Sequence, residues 1–341
     1  MTERKRIVSG MRPTGALHLG HYLGVLKNWV KLQHDYECFF FAADWHALTS
    51  DYRDPSRLRE NTREMVMTWL AVGIDPEKAV LFRQSDIKSH AELFLLLSMI
   101  TPVSWLERNP TYKEMRNEIK DKDLSNLGFL SYPVLMATDI LIYDAERVPI
   151  GEDQLPHLEL AREIVRRFNF IYGGGTDSEQ PESILVEPQA ILTETPRVPG
   201  LDGRKMSKSY GNAIFIDETA ETLKPKVMQM LTDAKRMRKS DAGEPKDCNL
   251  FPFHEYFTCE ADRAEIAEGC RKATWGCVDC KRKLLANIEA EFAPVWERLA
   301  HFKQQPELVR AILDAGEERA RSISEETMQR VRHVMQLNGG I

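Results

Sequence analysis

Apolar positions in the N-terminal stretch switch between continuous runs and helical spacing. Ile7 and Val8 form a short apolar stretch that reads as a strand. In "HLGHYLGVLKNWVKLQHD", Leu19, Leu23, Leu26 and Val30 recur at helical intervals. The continuous run "CFFFAAD" then fits a strand buried on both faces. "SRLRENTREMVMTWLAVG" predicts an amphipathic helix ending at Gly73, and "KAVLFRQS" a third strand. From Ser89 to Phe168 the pattern is mostly helical, broken by "RVPIGEDQ", which reads as strand, turn and helix. Alternation of strand and helix argues an α/β fold with a doubly wound parallel sheet, whose ligands sit at the carboxyl ends of the strands. Two loops come next along the chain, the polar "GGGTDSEQPES" (173–183) and "RVPGLDGRKMSKSYGN" (197–212). Beyond Asp217 nearly everything is helical and charged. The predicted organisation is a doubly wound domain over 1–212 and an all-helical domain over 213–341.

The 341 residues suffice for two domains with sizeable cores. No apolar run approaches the roughly 20 residues of a membrane span, and the start "MTERKR" lacks a following signal-peptide core, so a cytoplasmic protein with no membrane partner is expected. The net charge of -6 disfavours uniform attraction to nucleic acid. A polyanion would have to be met locally, and "KPK" (224–226), "KRMRK" (235–239), "RK" (271–272) and "KRK" (281–283) all fall in the helical half.

Candidate chemistry begins at "MRPTGALHLGHYLG", residues 11 to 24, just after the first strand. A strand, a Gly-containing turn and a helix N-terminus aim N–H groups and the positive dipole end at one point, and His18 and His21, three apart, add donors on one face. A phosphate is the natural guest; the bland alternative is a turn with two exposed histidines. The spacing is neither G-x-G-x-x-G nor that of a P-loop. "KMSKS" (205–209) sets two lysines and two serines in a loop that Gly203 and Gly211 leave mobile. Alone it reads as a solvated turn; as a partner of the first turn it can close over a triphosphate and follow charge onto a leaving pyrophosphate.

H-L-G-H after the first strand and K-M-S-K-S late in the doubly wound region resemble the two signature motifs of class I aminoacyl-tRNA synthetases. "SYPVLMATDILIYDAERVPIGEDQLPHLELAREIVRRF" (131–168) closely resembles the corresponding run of tryptophanyl-tRNA synthetases, and the likeness extends over nearly the whole chain. Tyr132, Met136 and Asp139 share one helix face, where Met136 offers a polarizable wall and Asp139 can accept an indole N–H, which only donates. Tyrosine enzymes of similar architecture tend to carry Gln where Met136 stands. The resemblance implies a Rossmann-like catalytic domain, an anticodon-binding helical domain, a homodimer, and ATP-dependent activation of L-tryptophan with transfer to tRNA(Trp). It implies ATP contacts from Arg12, Pro13, Thr14, Gly20, His21, Gly151, Glu152, Asp153, Val198 and the loop residues Lys205, Met206, Ser207, Lys208 and Ser209. It places Tyr132, Met136, Asp139, Gln154 and His46 around tryptophan, and has His18, His21, Lys205, Lys208 and Mg²⁺ stabilise the leaving pyrophosphate. Two spellings differ from many bacterial members, which have Gln for Arg12 and T-I-G-N for H-L-G-H. A tyrosine-specific enzyme and a synthetase-like RNA binder that charges no tRNA are the alternative readings.

Five of the six cysteines lie between 248 and 280. With no secretory feature, metal chemistry or plain burial outranks disulfides. Some tryptophanyl-tRNA synthetases carry a 4Fe-4S cluster on C-x22-C-x6-C-x2-C, and this chain reads C-x21-C-x6-C-x2-C through Cys248, Cys270, Cys277 and Cys280. Cys259 is the substitute for Cys248. A four-thiolate zinc site and simple buried cysteines are the other two possibilities. Cys38, in the apolar strand, reads as a core residue.

Overall fold

The computed structural model describes residues 4–338 apart from 111, 113–123, 176–181, 194–197 and 234; part of the polar 173–183 loop therefore lies outside the described residues. Five strands, β1 (Arg6–Met11), β2 (Glu37–Ala42), β3 (Ala79–Arg83), β4 (Arg147–Ile150) and β5 (Gln189–Leu192), form one parallel sheet in the order β3-β2-β1-β4-β5. Chain order runs outward from β1 to β3 on one side and resumes at β4 on the other. The topological switch, where such sheets open a crevice for ligands, thus lies between β1 and β4.

Successive strand residues point to opposite faces, and both faces are dry. Ile7, Phe40 and Leu81 enter one apolar cluster, while Val8, Phe39, Phe41 and Phe82 enter the other. That double burial is why "CFFFAAD" is apolar throughout rather than alternating. β5 was not anticipated, since "QAIL" is short and only half-buried, leaving a weak pattern.

The first helix departs from a regular one. After the short turn α1 (Leu19–His21) a π-helical turn spans Tyr22–Leu26 before α2 (Lys27–Leu32) resumes the α form. Such π turns concentrate at functional sites, and this one lies beside the crevice. The helices α3 (Asp44–Asp51), α4 (Leu58–Val72), α5 (Ser89–Ile100), α6 (Val103–Arg108), α7 (Leu127–Leu141) and α8 (Leu155–Tyr172) cover the sheet. α4 ends as its sequence suggests, with Gly73 at φ +111°.

Residues beyond 213 form α9 (Ala220–Gln229), α10 (Phe251–Phe257), α11 (Glu260–Arg271), α12 (Cys277–Gln304) and α13 (Pro306–Val334). Their apolar faces join the cores of the sheet: Ile288 and Phe292 of α12 share a cluster with Ile7 and Phe40, and Met328 and Val331 of α13 share one with Val8 and Phe82. Gly316 lets α13 cross edge strand β3, because a Cβ there would stand 1.9 Å from the Leu81 carbonyl oxygen. Ion pairs of Arg330 with Asp144 and Arg332 with Glu92 fasten the end of α13 to the sheet half.

Candidate active site

A cavity of about 500 Å³ opens at the switch point, walled by the ends of β1 and β4, by α3 and α7, and by the π turn. Arg12, His21, His46, Tyr132, Met136, Asp139, Gly151, Asp153 and Gln154 line it. Of the remaining expected contacts, Pro13, Thr14, His18, Gly20, Glu152, Val198 and residues 205–209 are outside the lining. Val198 is buried in the core, and Lys205 and Ser209 are exposed to solvent. Ser9, Gly10, Asn28, Thr49 and Thr193 also line the cavity and carried no motif in the sequence.

The histidine turn is fixed by its own hydrogen bonds. His18 caps α1 by accepting the Gly20 N–H on Nδ1 (3.1 Å), and His21 Nδ1 accepts the His18 N–H (3.2 Å). With both Nδ1 atoms accepting, each neutral ring carries its proton on Nε2 and presents a donor there. The ring centroids are 4.0 Å apart. Burial first, then neighbouring positive charge, lowers the pKa of His18 to about 4 and of His21 to about 3. At neutral pH the pair therefore offers hydrogen bonds, and the positive charge of the site comes from lysine and arginine. A Cβ on Gly20 would stand 2.8 Å from the His18 ring, so the cap needs glycine there.

The second signature loop meets the first. Lys208 Nζ donates to the carbonyl oxygens of Thr14 (3.1 Å) and Gly15 (3.0 Å), and burial lowers its pKa. The loop is organised by Asn212, a residue the sequence did not single out. Its Oδ1 accepts the Ser207 N–H at 2.9 Å, and its Nδ2 donates to Asp202 Oδ1 at 2.7 Å and the Lys205 carbonyl at 3.2 Å. Arg12 leans on Ser50 and stands 3.7 Å from Asp51. Its Nε is buried without a hydrogen-bond partner, and burial lowers the pKa of its guanidinium. A buried cation on a cavity wall suits an anionic guest.

Deeper in the cavity Asp139 is 3% exposed. Its Oδ2 lies 2.7 Å from His46 Nε2, and its Oδ1 accepts from Gln84 Nε2 and His90 Nδ1, each at 2.7 Å. Burial, the largest influence, pushes its pKa up, yet attraction and hydrogen bonds from His46 and His90 together outweigh it and hold the carboxyl below its usual range. Tyr132 is backed by His157, whose Nε2 stands 3.2 Å from the phenol oxygen. An ionised carboxylate thus shares a cavity with the apolar side chains of Met136, Ile140 and Val148 and with the cationic Arg12.

The family described as tRNA synthetases class I (W and Y) matches residues 1–293. The chain is 51% identical to the tryptophan–tRNA ligase of Thermotoga maritima over 97% of this chain and 99% of that one. It is 45% identical to that of Aquifex aeolicus over 97% of this chain and all of the relative. The chain belongs to the tryptophanyl members of the class I tRNA synthetases. The tryptophanyl-tRNA synthetase of Campylobacter jejuni, solved with ADP and tryptophan, superposes with a TM-score of 0.86 at 35% identity, covering 97% of this chain and all of the other. The tyrosyl-tRNA synthetase of Archaeoglobus fulgidus, at 21% identity and a TM-score of 0.63, shares the fold alone, over 88% of this chain and 91% of the other.

The cysteine region of this synthetase holds a second, smaller cavity. Cys248, Cys270, Cys277 and Cys280 line one narrow cavity with Arg236 and Trp275, whereas Cys259 is exposed and outside it. Arg236 Nη1 lies 3.6 Å from Cys270 Sγ, and His254 Nε2 lies 3.2 Å from Cys280 Sγ. Among the described residues no group of three or more His, Cys, Asp or Glu side chains is arranged to hold a metal ion. The basic stretches are less available than their spelling suggests. Lys235 pairs with Asp247, Lys239 and Arg282 with Asp279, Arg271 with Glu244, Lys272 with Glu268 and Lys283 with Asp262. Several cations of the four basic stretches thus already have carboxylate partners. No helix among the described residues is long and apolar enough to cross a membrane.

Proposed function

We propose that the protein activates L-tryptophan with ATP and transfers it to tRNA(Trp), with the indole in the chamber above Asp139 and the triphosphate at the histidine turn. The observation that carries this is the buried Asp139 carboxylate, fixed by His46, Gln84 and His90, on a cavity that Met136, Ile140 and Val148 also line. An indole N–H offers one donor and no acceptor, so the carboxylate can satisfy it, while an aliphatic or phenyl guest would bring no donor to that oxygen. Tyr132 and Gln154 would hold the substrate ammonium and His46 would border the ring. Arg12 would orient the phosphates beside the tryptophan carboxylate, and Gly151, Glu152 and Asp153 would meet the ribose, with Val198 behind the adenine.

Adenylation is an in-line displacement: the tryptophan carboxylate attacks the α-phosphorus and pyrophosphate leaves, without need of a general base. The Nε2–H groups of His18 and His21, with Lys205, Met206, Ser207, Lys208 and Ser209 closing over the phosphates, would meet the charge that gathers on pyrophosphate. Mg²⁺ bound with ATP would supply further neutralisation. A terminal ribose hydroxyl of tRNA(Trp) then attacks the adenylate carbonyl and AMP departs. The helical half, 213–341, would read the anticodon. Its paired lysines and arginines can exchange carboxylate partners for phosphates at low cost, because exposed ion pairs are weak. The function calls for a cytoplasmic enzyme, and the homodimer would bury Leu95 and Met99, exposed one turn apart on α5. Monomeric sedimentation of the parent would remove that part.

The four cysteines lining one cavity beside a cationic guanidinium support a 4Fe-4S cluster as their guest. Each thiolate of such a cluster binds a different iron, and the cationic Arg236 suits its negative charge. Cys248, Cys270, Cys277 and Cys280 would hold it and so pin the segment bearing Lys281 and Arg282. Anaerobic protein should be brown with about four irons per chain; protein with neither iron nor colour would return the cysteines to plain burial.

The direct test of the tryptophan site is Asp139→Ala. Tryptophan-dependent ATP–pyrophosphate exchange should lose roughly 100-fold or more in kcat/KM with the KM for ATP nearly unchanged. Equal exchange in variant and parent would remove Asp139 from the site.

A further inference from the structure

A carboxylate can grip an indole N–H only if its orientation is fixed, and Asp139 is aimed from behind by residues that never reach the cavity. His90 and Tyr143 are both fully buried. His90 Nδ1 lies 2.7 Å from Asp139 Oδ1, and His90 Nε2 lies 2.7 Å from the Tyr143 hydroxyl. An ionised carboxylate only accepts, so His90 Nδ1 carries a proton and donates to Asp139, while His90 Nε2 and the Tyr143 hydroxyl form the next bond of the relay. Gln84 donates to the same oxygen at 2.7 Å, which fills both lone-pair directions of Oδ1. Oδ2, bonded at 2.7 Å to His46 on the cavity wall, keeps one direction open toward the chamber.

We propose that His90 and Tyr143 are positioning residues for amino-acid selection: their relay saturates one oxygen of Asp139 and leaves the other to receive the indole N–H. The proposal rests on the assignment of Asp139 to tryptophan. Its consequence is specific. Breaking the relay lets the carboxylate turn and find other partners, so it weakens a ligand that donates to Asp139 and spares an isosteric ligand that does not. Such networks act through orientation, and a loosened member costs affinity without touching the ligand.

The experiment compares ATP–pyrophosphate exchange driven by tryptophan and by β-(benzothiophen-3-yl)alanine, in which sulfur replaces the indole N–H. His90→Leu should lower kcat/KM for tryptophan by about tenfold or more, chiefly through KM, while the sulfur analogue changes less than about threefold and the KM for ATP holds. His90→Gln, whose amide can donate to Asp139 and accept from Tyr143, should restore the preference. Tyr143→Phe should shift it in the direction of His90→Leu. Equal losses for both amino acids, or an unchanged preference, would overturn the proposal. Where His90→Leu does not fold, an unchanged preference in Tyr143→Phe overturns it. Asp139→Asn separates the two ideas: if it abolishes the preference while the relay variants keep it, only the relay fails, and if it too keeps the preference, the assignment of Asp139 falls.

Discussion

Lys208 is the residue at which the two signature loops meet, with its ammonium on the Thr14 and Gly15 carbonyls. Those carbonyls are weak partners compared with phosphate, so a triphosphate entering the turn can draw the ammonium onto itself as charge moves to the leaving group. Lys208→Ala should therefore slow single-turnover adenylation by roughly 100-fold while leaving tryptophan binding nearly unchanged. Unaltered single-turnover rates would make the loop a solvated turn. Residues of this kind were legible in sequence because the chemistry dictates their type and spacing. His18 and His21 were legible for the same reason, although their neutral state was not: it follows from burial and from the hydrogen bonds on Nδ1. Asn212, His90 and Gln84 were illegible, since an Asn closing a loop and a His or Gln inside a core acquire their roles only through partners distant in the chain.

Among the elements, β1 to β4 and the helices followed from the pattern of apolar positions, and the exceptions have physical causes. β5 is an edge strand of four residues with little apolar area to display. The π turn at Tyr22–Leu26 hides inside a helical pattern because one extra residue per turn hardly alters the spacing of Leu19, Leu23 and Leu26. α13 carries the most exacting contact, where Gly316 brings its backbone onto β3. Gly316→Ala should force the helix off the strand and cost about 1–3 kcal/mol, read as a lower denaturant midpoint at constant slope. An unchanged or higher midpoint, as helix propensity alone would favour, would show that the crossing relaxes freely.

For the whole molecule, packing bridges the boundary expected near 213, since α12 and α13 complete the cores on either side of the sheet. Residues that would read the tRNA are thus mechanically continuous with the chamber that would read the amino acid. Local basic stretches pointed to the second half as the place to meet a polyanion, and the folded chain pairs several of their lysines and arginines with carboxylates, partners that a linear reading does not reveal. Doubly wound sheets serve many chemistries, so the fold leaves the substrate open. The tryptophan assignment joins family membership to one buried carboxylate and one methionine wall. Amino-acid-dependent ATP–pyrophosphate exchange, run with each of the twenty amino acids, tests it most directly. Tryptophan alone should support rapid exchange, with tyrosine at background; exchange driven equally by tyrosine, or by no amino acid, would contradict it.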